Sequence, residues 1–391
     1  MKTDMNSRKI LFTPLVAMVA FLLSVFTVHA VTPPVPPVNA RAYVMMDYTT
    51  GHIIASENAD ELHGPASLVK MMTSYIIGRE LQNGRIALDD TVTVSQNAWA
   101  RNFPGSSLMF IEVGREVQVE DLNRGIIIAS GNDACVAMAE HIAGTEDGFV
   151  NLMNAYAREL GMTQTVFSNS HGLTSEGQQT SARDMAILAR ALIRDVPEQH
   201  ALYSEREFTF NGIRQYNRNS LLWDRTLNVD GLKTGYTRES GYHLVTTATE
   251  GDTRLITVVL GTASETVRAA ESKKLLNYGF RFFETVKAYS AGEKLASQRI
   301  WGGSVDEIAL GTGEDVVVTL PRGQRQNVRA NFVLDRSLEA PLAAGEHVGT
   351  VNLTLGDEDI ASFPLVTLVE VTQGGFFKRI MDSIRKSFSD E

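Results

Sequence analysis

Two hairpin-like stretches, one near the start of the chain and one past its middle, enclose a long run of helical sequence. In the first, Tyr43-Val44-Met45-Met46-Asp47 runs to a turn at Thr49-Thr50-Gly51 and returns through His52-Ile53-Ile54-Ala55. In the second, Tyr242 to Ala248 and Arg254 to Leu260 are joined through Glu250-Gly251-Asp252. Between them, apolar residues recur at helical spacing over Leu68 to Leu81, Asp133 to Ala143, Asp147 to Leu160 and Ala182 to Ile193. Strands that bracket helices in this way predict one antiparallel sheet, completed by both ends of a single domain, with helices packed on it. That domain is expected over residues 41–289.

After about Ser290 the period changes. Asp315 to Leu320, Asn327 to Leu334, His347 to Leu355 and Pro364 to Val371 are short β-type runs punctuated by Gly, Asp and Pro, which predicts a small all-β domain over residues 290–372. The expected fold is thus α/β in the broad sense (α+β), followed by the β domain and, at 373–391, an amphipathic helix. In that helix Phe376, Phe377, Ile380, Met381, Ile384 and Phe388 fall at helical spacing among Lys378, Arg379, Arg385 and Lys386, after Gly374-Gly375. A basic helix with Phe on its apolar face is the pattern of an in-plane membrane anchor; the competing reading is a terminal helix docked on the protein's own core.

The other end reads as a secretory signal over residues 1–30: Lys2, Arg8 and Lys9, an apolar run from Ile10 to Val28, and Val28-His29-Ala30 at the cleavage position. An uncleaved transmembrane anchor is the alternative, and either would export the rest of the chain. Val31-Thr32-Pro33-Pro34-Val35-Pro36-Pro37 then opens a proline-rich leader, residues 31–40, read as a stiff spacer without core character.

Composition narrows the chemistry. Of 391 residues, 36 are Lys or Arg and 46 Asp or Glu, so the bulk offers no basic footprint for nucleic acid. The single cysteine, Cys135, cannot form an intramolecular disulfide or build a Cys-based metal site, and it reads as a small buried hydrophobe. No metal or other cofactor is expected.

Three short motifs carry the candidate chemistry. Ser67-Leu68-Val69-Lys70 opens a helical run, and serine and lysine three apart share a helix face, so a neutral amine can take the hydroxyl proton without histidine. Alone, the spacing is equally that of a helix cap and a solvated lysine. Ser130-Gly131-Asn132 lies between an apolar run and the helix that Asp133 would cap, where a hydroxyl and a carboxamide can face a cleft; by itself it is a turn. Lys233-Thr234-Gly235, followed by Tyr236-Thr237, would on an edge strand present an ammonium and a hydroxyl, with the glycine leaving room for an extended substrate.

In this order the three resemble the signature set of the penicillin-recognising serine acyl transferases. Ser106-Ser107-Leu108-Met109-Phe110, Ser130 to Ala139, Ser181-Ala182-Arg183-Asp184-Met185, Asn228 to Gly235 and Glu271 to Leu276 are similar to the low-molecular-mass D-alanyl-D-alanine carboxypeptidases over essentially the whole mature chain. The resemblance implies that Ser67 attacks the carbonyl between two terminal D-alanines of a peptidoglycan stem peptide, with Lys70 as base. Ser130 would pass a proton to the departing nitrogen, and Asn132 would bond the substrate amide. Lys233 and Thr234 would bind the terminal carboxylate, with Lys233 also keeping Lys70 neutral. The backbone N–H groups of Ser67 and Tyr236 would hold the oxyanion, and Gly235 and Thr237 would complete the substrate strand. β-Lactams would acylate the same serine. Asp195 and Arg218 match a charged pair near this site, for which a structural salt bridge is the competing reading. Tyr236 is a departure, standing where a close relative has histidine.

A serine β-lactamase shares the motifs, but no Glu-x-x-Leu-Asn pattern lies between the second and third, and the β domain is unexplained on that reading. A non-catalytic glycan-binding scaffold is the other alternative, and intact Ser67, Lys70, Ser130 and Lys233 argue against it.

Overall fold

Strand β1 (Ala42–Asp47) is buried at all six residues, because its alternating side chains enter two different cores. Ala42, Val44 and Met46 join the larger core on one face of the sheet, while Tyr43 and Met45 join a smaller one on the other. The computed structural model describes residues 33–389; the expected signal segment lies outside them.

After β2 (Ile53–Glu57) the chain leaves the sheet. It forms α1 (Val69–Gln82), the strand pair β3 (Thr91–Thr93) and β4 (Glu116–Gln118), then α2 (Val119–Arg124), α3 (Asn132–Ala143), α4 (Glu146–Glu159), α5 (Ala182–Asp195) and α6 (Pro197–Ala201). A small hairpin, β5 (Glu207–Phe210) and β6 (Ile213–Tyr216), precedes the return through β7 (Asn228–Thr237), β8 (Gly241–Glu250) and β9 (Thr253–Thr262). The sheet order is β2-β1-β9-β8-β7, antiparallel throughout, with Ala42 opposite Leu260 and Asp47 opposite Leu255. Both ends of the domain therefore close one sheet, as the bracketing hairpins predict, and β7 is its edge.

Helix α1 is buried from Val69 to Gly78, which explains why its sequence shows little polar face. Helices α4 and α5 start on side-chain caps: Thr145 accepts from Gly148 N–H at 3.0 Å and Ser181 from Asp184 N–H at 3.1 Å. The opposite face is covered by α7 (Glu265–Phe282), capped by Ser264, which packs Leu275, Leu276 and Phe280 on Met45, Leu255 and Val259.

The proline-rich leader departs from the spacer reading over its described residues. Val35, Val38 and Ala40 pack against the α7 core, Tyr278 Oη donates to Pro33 O at 2.7 Å and Lys274 Nζ to Pro37 O at 2.8 Å. Apolar residues between prolines find an exposed strip of α7, and carbonyls of an extended segment, which bond nothing within it, accept from that helix.

Strand β10 (Phe283–Tyr289) follows α7 directly and pairs with β13 (Val316–Pro321), so by pairing the β domain begins at residue 283, earlier than the composition change at Ser290 suggests. The intervening strands are β11 (Ala296–Arg299) and β12 (Glu307–Gly311), and β14 (Val328–Leu334), β15 (His347–Leu355) and β16 (Glu358–Thr367) follow. The second sheet has the order β11-β12-β16-β15-β14 over its own core of Ile308, Leu310, Val351, Leu353 and Leu365. Thr50 Oγ1 and Thr319 Oγ1 lie 2.6 Å apart where the first hairpin meets this domain.

The last helix, α8 (Phe376–Ser389), turns its polar side to the β domain. Asp382 is 2% exposed, accepting from Gly302 N–H at 3.1 Å and facing Arg299 at 3.4 Å; Lys378 pairs with Asp306 and Lys386 with Glu339. Phe376, Phe377, Met381 and Ile384 stay exposed, Phe377 at 82%. The docked-on-core alternative is thereby met in an inverted form: the helix is docked, through its charges.

Candidate active site

Ser67 sits in a single 3-10 turn, Ala66–Leu68, immediately before α1. Ala66 holds φ +51°, a left-handed conformation that costs a residue with a Cβ and that serves here to present the next residue to the cleft. One turn on, Lys70 is completely buried. Its Nζ lies 3.3 Å from Ser67 Oγ, 2.7 Å from Asn132 Oδ1 and 2.5 Å from the carbonyl oxygen of His171. The solvated-lysine reading of the first motif is excluded by this burial.

Burial is also the main force on the amine's proton affinity, pushing the Lys70 pKa down to about 8, with the Arg218 guanidinium adding positive potential and Cys135 and Asp133 opposing. Desolvation comes first, and because the repulsion between two buried amines is mutual, Lys233 also disfavours the charged form of Lys70. Lys233, equally buried, is itself held well below the ordinary lysine range, by burial and then by Lys70.

Ser130 ends a π-helical segment, Gly125–Ala129, in the left-handed conformation (φ +60°), and its Oγ accepts from Lys233 Nζ at 3.0 Å. Asn132 begins α3; beyond accepting from Lys70, it donates through Nδ2 to Ser106 Oγ at 2.8 Å. Asp133, expected as a helix cap, does something else. Its buried carboxylate accepts from the backbone N–H groups of Met109 (2.8 Å), Phe110 (2.8 Å), Ile111 (3.1 Å) and Ala134 (3.0 Å), pinning the Ser106–Phe110 segment against the cleft. Cys135 is buried, and burial pushes its thiol up to about 12, which leaves it an inert apolar filler.

On edge strand β7, Thr234 to Thr237 form the opposite wall, with Lys233 buried behind it. A Cβ on Gly235 would stand 3.2 Å from Pro65 O and 3.3 Å from the Ala66 Cβ, so the missing side chain of this cleft-lining glycine also admits the nucleophile's turn. Tyr236 is 52% exposed and stacks on its cross-strand partner Tyr242 with ring centroids 4.3 Å apart.

Together Ser67, Ser130, Asn132, Thr234, Gly235, Tyr236 and Thr237 line one cleft of about 530 Å³. Its lining also holds Arg218, whose Nη1 donates to Ser107 Oγ at 2.6 Å, and Arg268 of α7, which the sequence reading missed. Arg268 reaches Gly235 O at 3.4 Å and lies over the Tyr242 ring. Its only sequence signal is a basic residue on the helix that follows the third hairpin strand. Two guanidiniums near buried Lys233 give this end of the cleft positive potential, offset in part by Glu265, which also lines it and lies 3.5 Å from Arg268. Asp195 lies elsewhere: it accepts from Tyr75 Oη at 3.0 Å and pairs with Arg194 at 2.5 Å, so the expected Asp195–Arg218 pair does not form. Among the described residues, no group of three or more His, Cys, Asp or Glu could hold a metal ion.

A serine, two buried lysines and a second serine in a cationic cleft can activate a hydroxyl, bind an anionic substrate end and return a proton to a leaving group. Known proteins agree with this. Residues 27–264 match the family described as D-alanyl-D-alanine carboxypeptidase, and residues 283–373 match the C-terminal domain of penicillin-binding protein 5. The chain is 50% identical over 365 residues to the D-alanyl-D-alanine carboxypeptidase DacA of Escherichia coli (strain K12), covering 92% of this chain and 91% of that one. It is 35% identical to DacF of Bacillus subtilis (strain 168), covering 86% and 87%. The crystal structure of penicillin-binding protein 5 from Haemophilus influenzae superposes with a TM-score of 0.83 at 48% identity, covering 87% of this chain and 99% of that one. Motifs, cleft and both matched domains converge, and this chain belongs to the D-alanyl-D-alanine carboxypeptidase family.

Proposed function

We propose that the chain hydrolyses the terminal D-Ala-D-Ala bond of peptidoglycan pentapeptides through an acyl-enzyme on Ser67. The carboxypeptidase activity is that of its family; the roles of individual residues rest chiefly on the surroundings of Lys70. A neutral amine has two N–H groups and one lone pair. Asn132 Oδ1 and the His171 carbonyl take the N–H groups, which leaves the lone pair for the Ser67 hydroxyl. Ser67 Oγ then bonds the carbonyl carbon while Lys70 Nζ takes its proton. The oxyanion sits between the N–H groups of Ser67 and Tyr236. The C–N bond breaks as a proton passes to the departing D-alanine from Ser130, which Lys233 supplies. Lys233, Thr234 and the two arginines hold the terminal carboxylate. The proton that Lys70 took from Ser67 passes on to Lys233, which restores both amines; Lys70 then takes a proton from water as the water oxygen bonds the ester carbonyl, and gives it to Ser67 Oγ as the C–O bond breaks and the shortened peptide leaves. Related structures include penicillin-binding protein D2 from Listeria monocytogenes in an ampicillin-bound form, at 28% identity and TM-score 0.55; by the same attack β-lactams would acylate Ser67 here.

The working place is read as the outer face of the cytoplasmic membrane, after removal of residues 1–30. This reading is supported by the exposed apolar face of α8, whose polar side is engaged by the β domain. Among the described residues no helix is long and apolar enough to cross a membrane, so α8 would lie in the surface.

The deciding experiment is release of D-alanine from a D-Ala-D-Ala pentapeptide by the mature protein and by its Ser67→Ala variant. Release by the wild type and a fall of at least about a thousandfold in the variant are expected; a variant that keeps its rate would reject the acyl-enzyme.

A further inference from the structure

We infer that Glu146, outside the cleft, is a positioning residue for the general base: its carboxylate holds the backbone strap Asn169–Leu173 so that the His171 carbonyl fixes the rotation of the Lys70 amine. The inference rests on Lys70 acting as the base.

The strap reaches the reacting groups through its backbone. The His171 oxygen is one of two carbonyls that take the Lys70 N–H groups, and without it the amine is free to turn its lone pair from Ser67. Beside it, Gly172 adopts φ +92°, and a Cβ there would come within 1.9 Å of Ala66 O, so the strap lies directly on the nucleophile's turn. Small shifts of the strap are therefore felt by both reacting side chains.

Glu146 is the charged group that holds it. Its Oε1 accepts from Ser170 N–H at 2.9 Å and from Ser170 Oγ at 2.6 Å. The same oxygen lies 3.7 Å from His171 Nε2. His171 Nδ1 accepts from Leu173 N–H at 3.2 Å, so in the neutral ring Nε2 carries the proton and points it at the carboxylate. Burial, then the charge of Lys70, pushes the His171 pKa down to about 3, which keeps the ring neutral. From the other side, Thr73 Oγ1, on α1 one turn past Lys70, donates to Ser170 O at 2.6 Å. By sequence Glu146 is merely an acid in the first turn of α4. That helix already has its cap in Thr145, and the Glu146 oxygen is committed across the fold, 24 residues on.

The test compares Glu146→Ala, Glu146→Gln and Thr73→Val with wild type and Lys70→Ala, measuring kcat and KM for D-alanine release, with a thermal melt of each. Because Glu146 does not line the cleft, Glu146→Ala is expected to lower kcat about 10- to 100-fold with KM within about twofold. Glu146→Gln keeps an acceptor for Ser170 and is expected to regain most of the rate. Thr73→Val, nearly isosteric, lowers kcat in the same sense and keeps the test open should Glu146→Ala fail to fold. Wild-type kcat in Glu146→Ala or in Thr73→Val, or equal loss in the Ala and Gln variants, overturns the assignment. An active Lys70→Ala overturns instead the reading of Lys70 as base, and the two failures are thereby told apart.

Discussion

The cleft and the last helix break the same rule in opposite directions. In the cleft Lys70, Lys233 and Asp133 are buried, where charge is expensive; on α8 Phe376, Phe377 and Ile384 are exposed, where apolar surface is wasted. Each inversion is held in place by its neighbours. Buried Asp133 accepts four backbone N–H groups, and exposed Phe377 is kept outward because Asp382, Lys378 and Lys386 tie the other side of α8 to the β domain. On the proposed function, each such departure from ordinary burial is where the molecule would meet something else, a reacting peptide in one case and a membrane surface in the other.

Removing the buried amine breaks the comparison on the cleft side. Lys70→Arg keeps a cation that cannot deprotonate, so acylation by a penicillin is expected to fall at least about a thousandfold at every accessible pH. On the proposed mechanism the wild-type acylation rate follows the neutral amine. It should rise about tenfold per pH unit below pH 8 and level off above, since the Lys70 pKa is lowered to about 8. A profile flat from pH 6 to pH 9, measured by stopped flow, would separate the amine from the chemistry.

Asp133→Ala orphans three backbone N–H groups of the Met109–Ile111 segment and is expected to cost about 3 kcal/mol or more in a urea titration. Asp133→Asn recovers part, because a carboxamide offers one acceptor oxygen in place of two.

On the other side, Ile384→Glu on the exposed face of α8 should weaken binding to anionic vesicles about tenfold or more while carboxypeptidase activity stays unchanged. Equal vesicle binding by the variant and by the full chain would mean that the exposed face is not what meets the membrane. The smallest effect is expected in the cleft's neighbourhood: Cys135→Ala should cost about 1 kcal/mol of stability and leave activity within about twofold.

What was legible in the sequence follows from which atoms carry the information. The sheet closed by both chain ends was readable because hairpins announce themselves by alternation, and the three motifs because their side chains do the work. The acceptor that orients Lys70 is a backbone carbonyl, so His171 and the strap gave no signal, and Glu146 passed as an ordinary first-turn acid. The Asp195–Arg218 pair was implied by resemblance to relatives, yet here each has another partner, Arg194 and Ser107. The leader was misread because prolines suggest a spacer, while Val35 and Val38 needed only a waiting apolar strip on α7. Gly235 lines the cleft as the third motif suggests, and the crowding it also relieves, from Pro65 and Ala66, had no signal in the sequence.

On the proposed mechanism, it is a neutral Lys70 that makes Ser67 the acylated nucleophile. Mass mapping of the protein after brief exposure to benzylpenicillin tests it directly: a single adduct is expected on the peptide carrying Ser67, absent from Lys70→Arg at the same exposure. An adduct on any other residue, or one formed at the wild-type rate in Lys70→Arg, would contradict it.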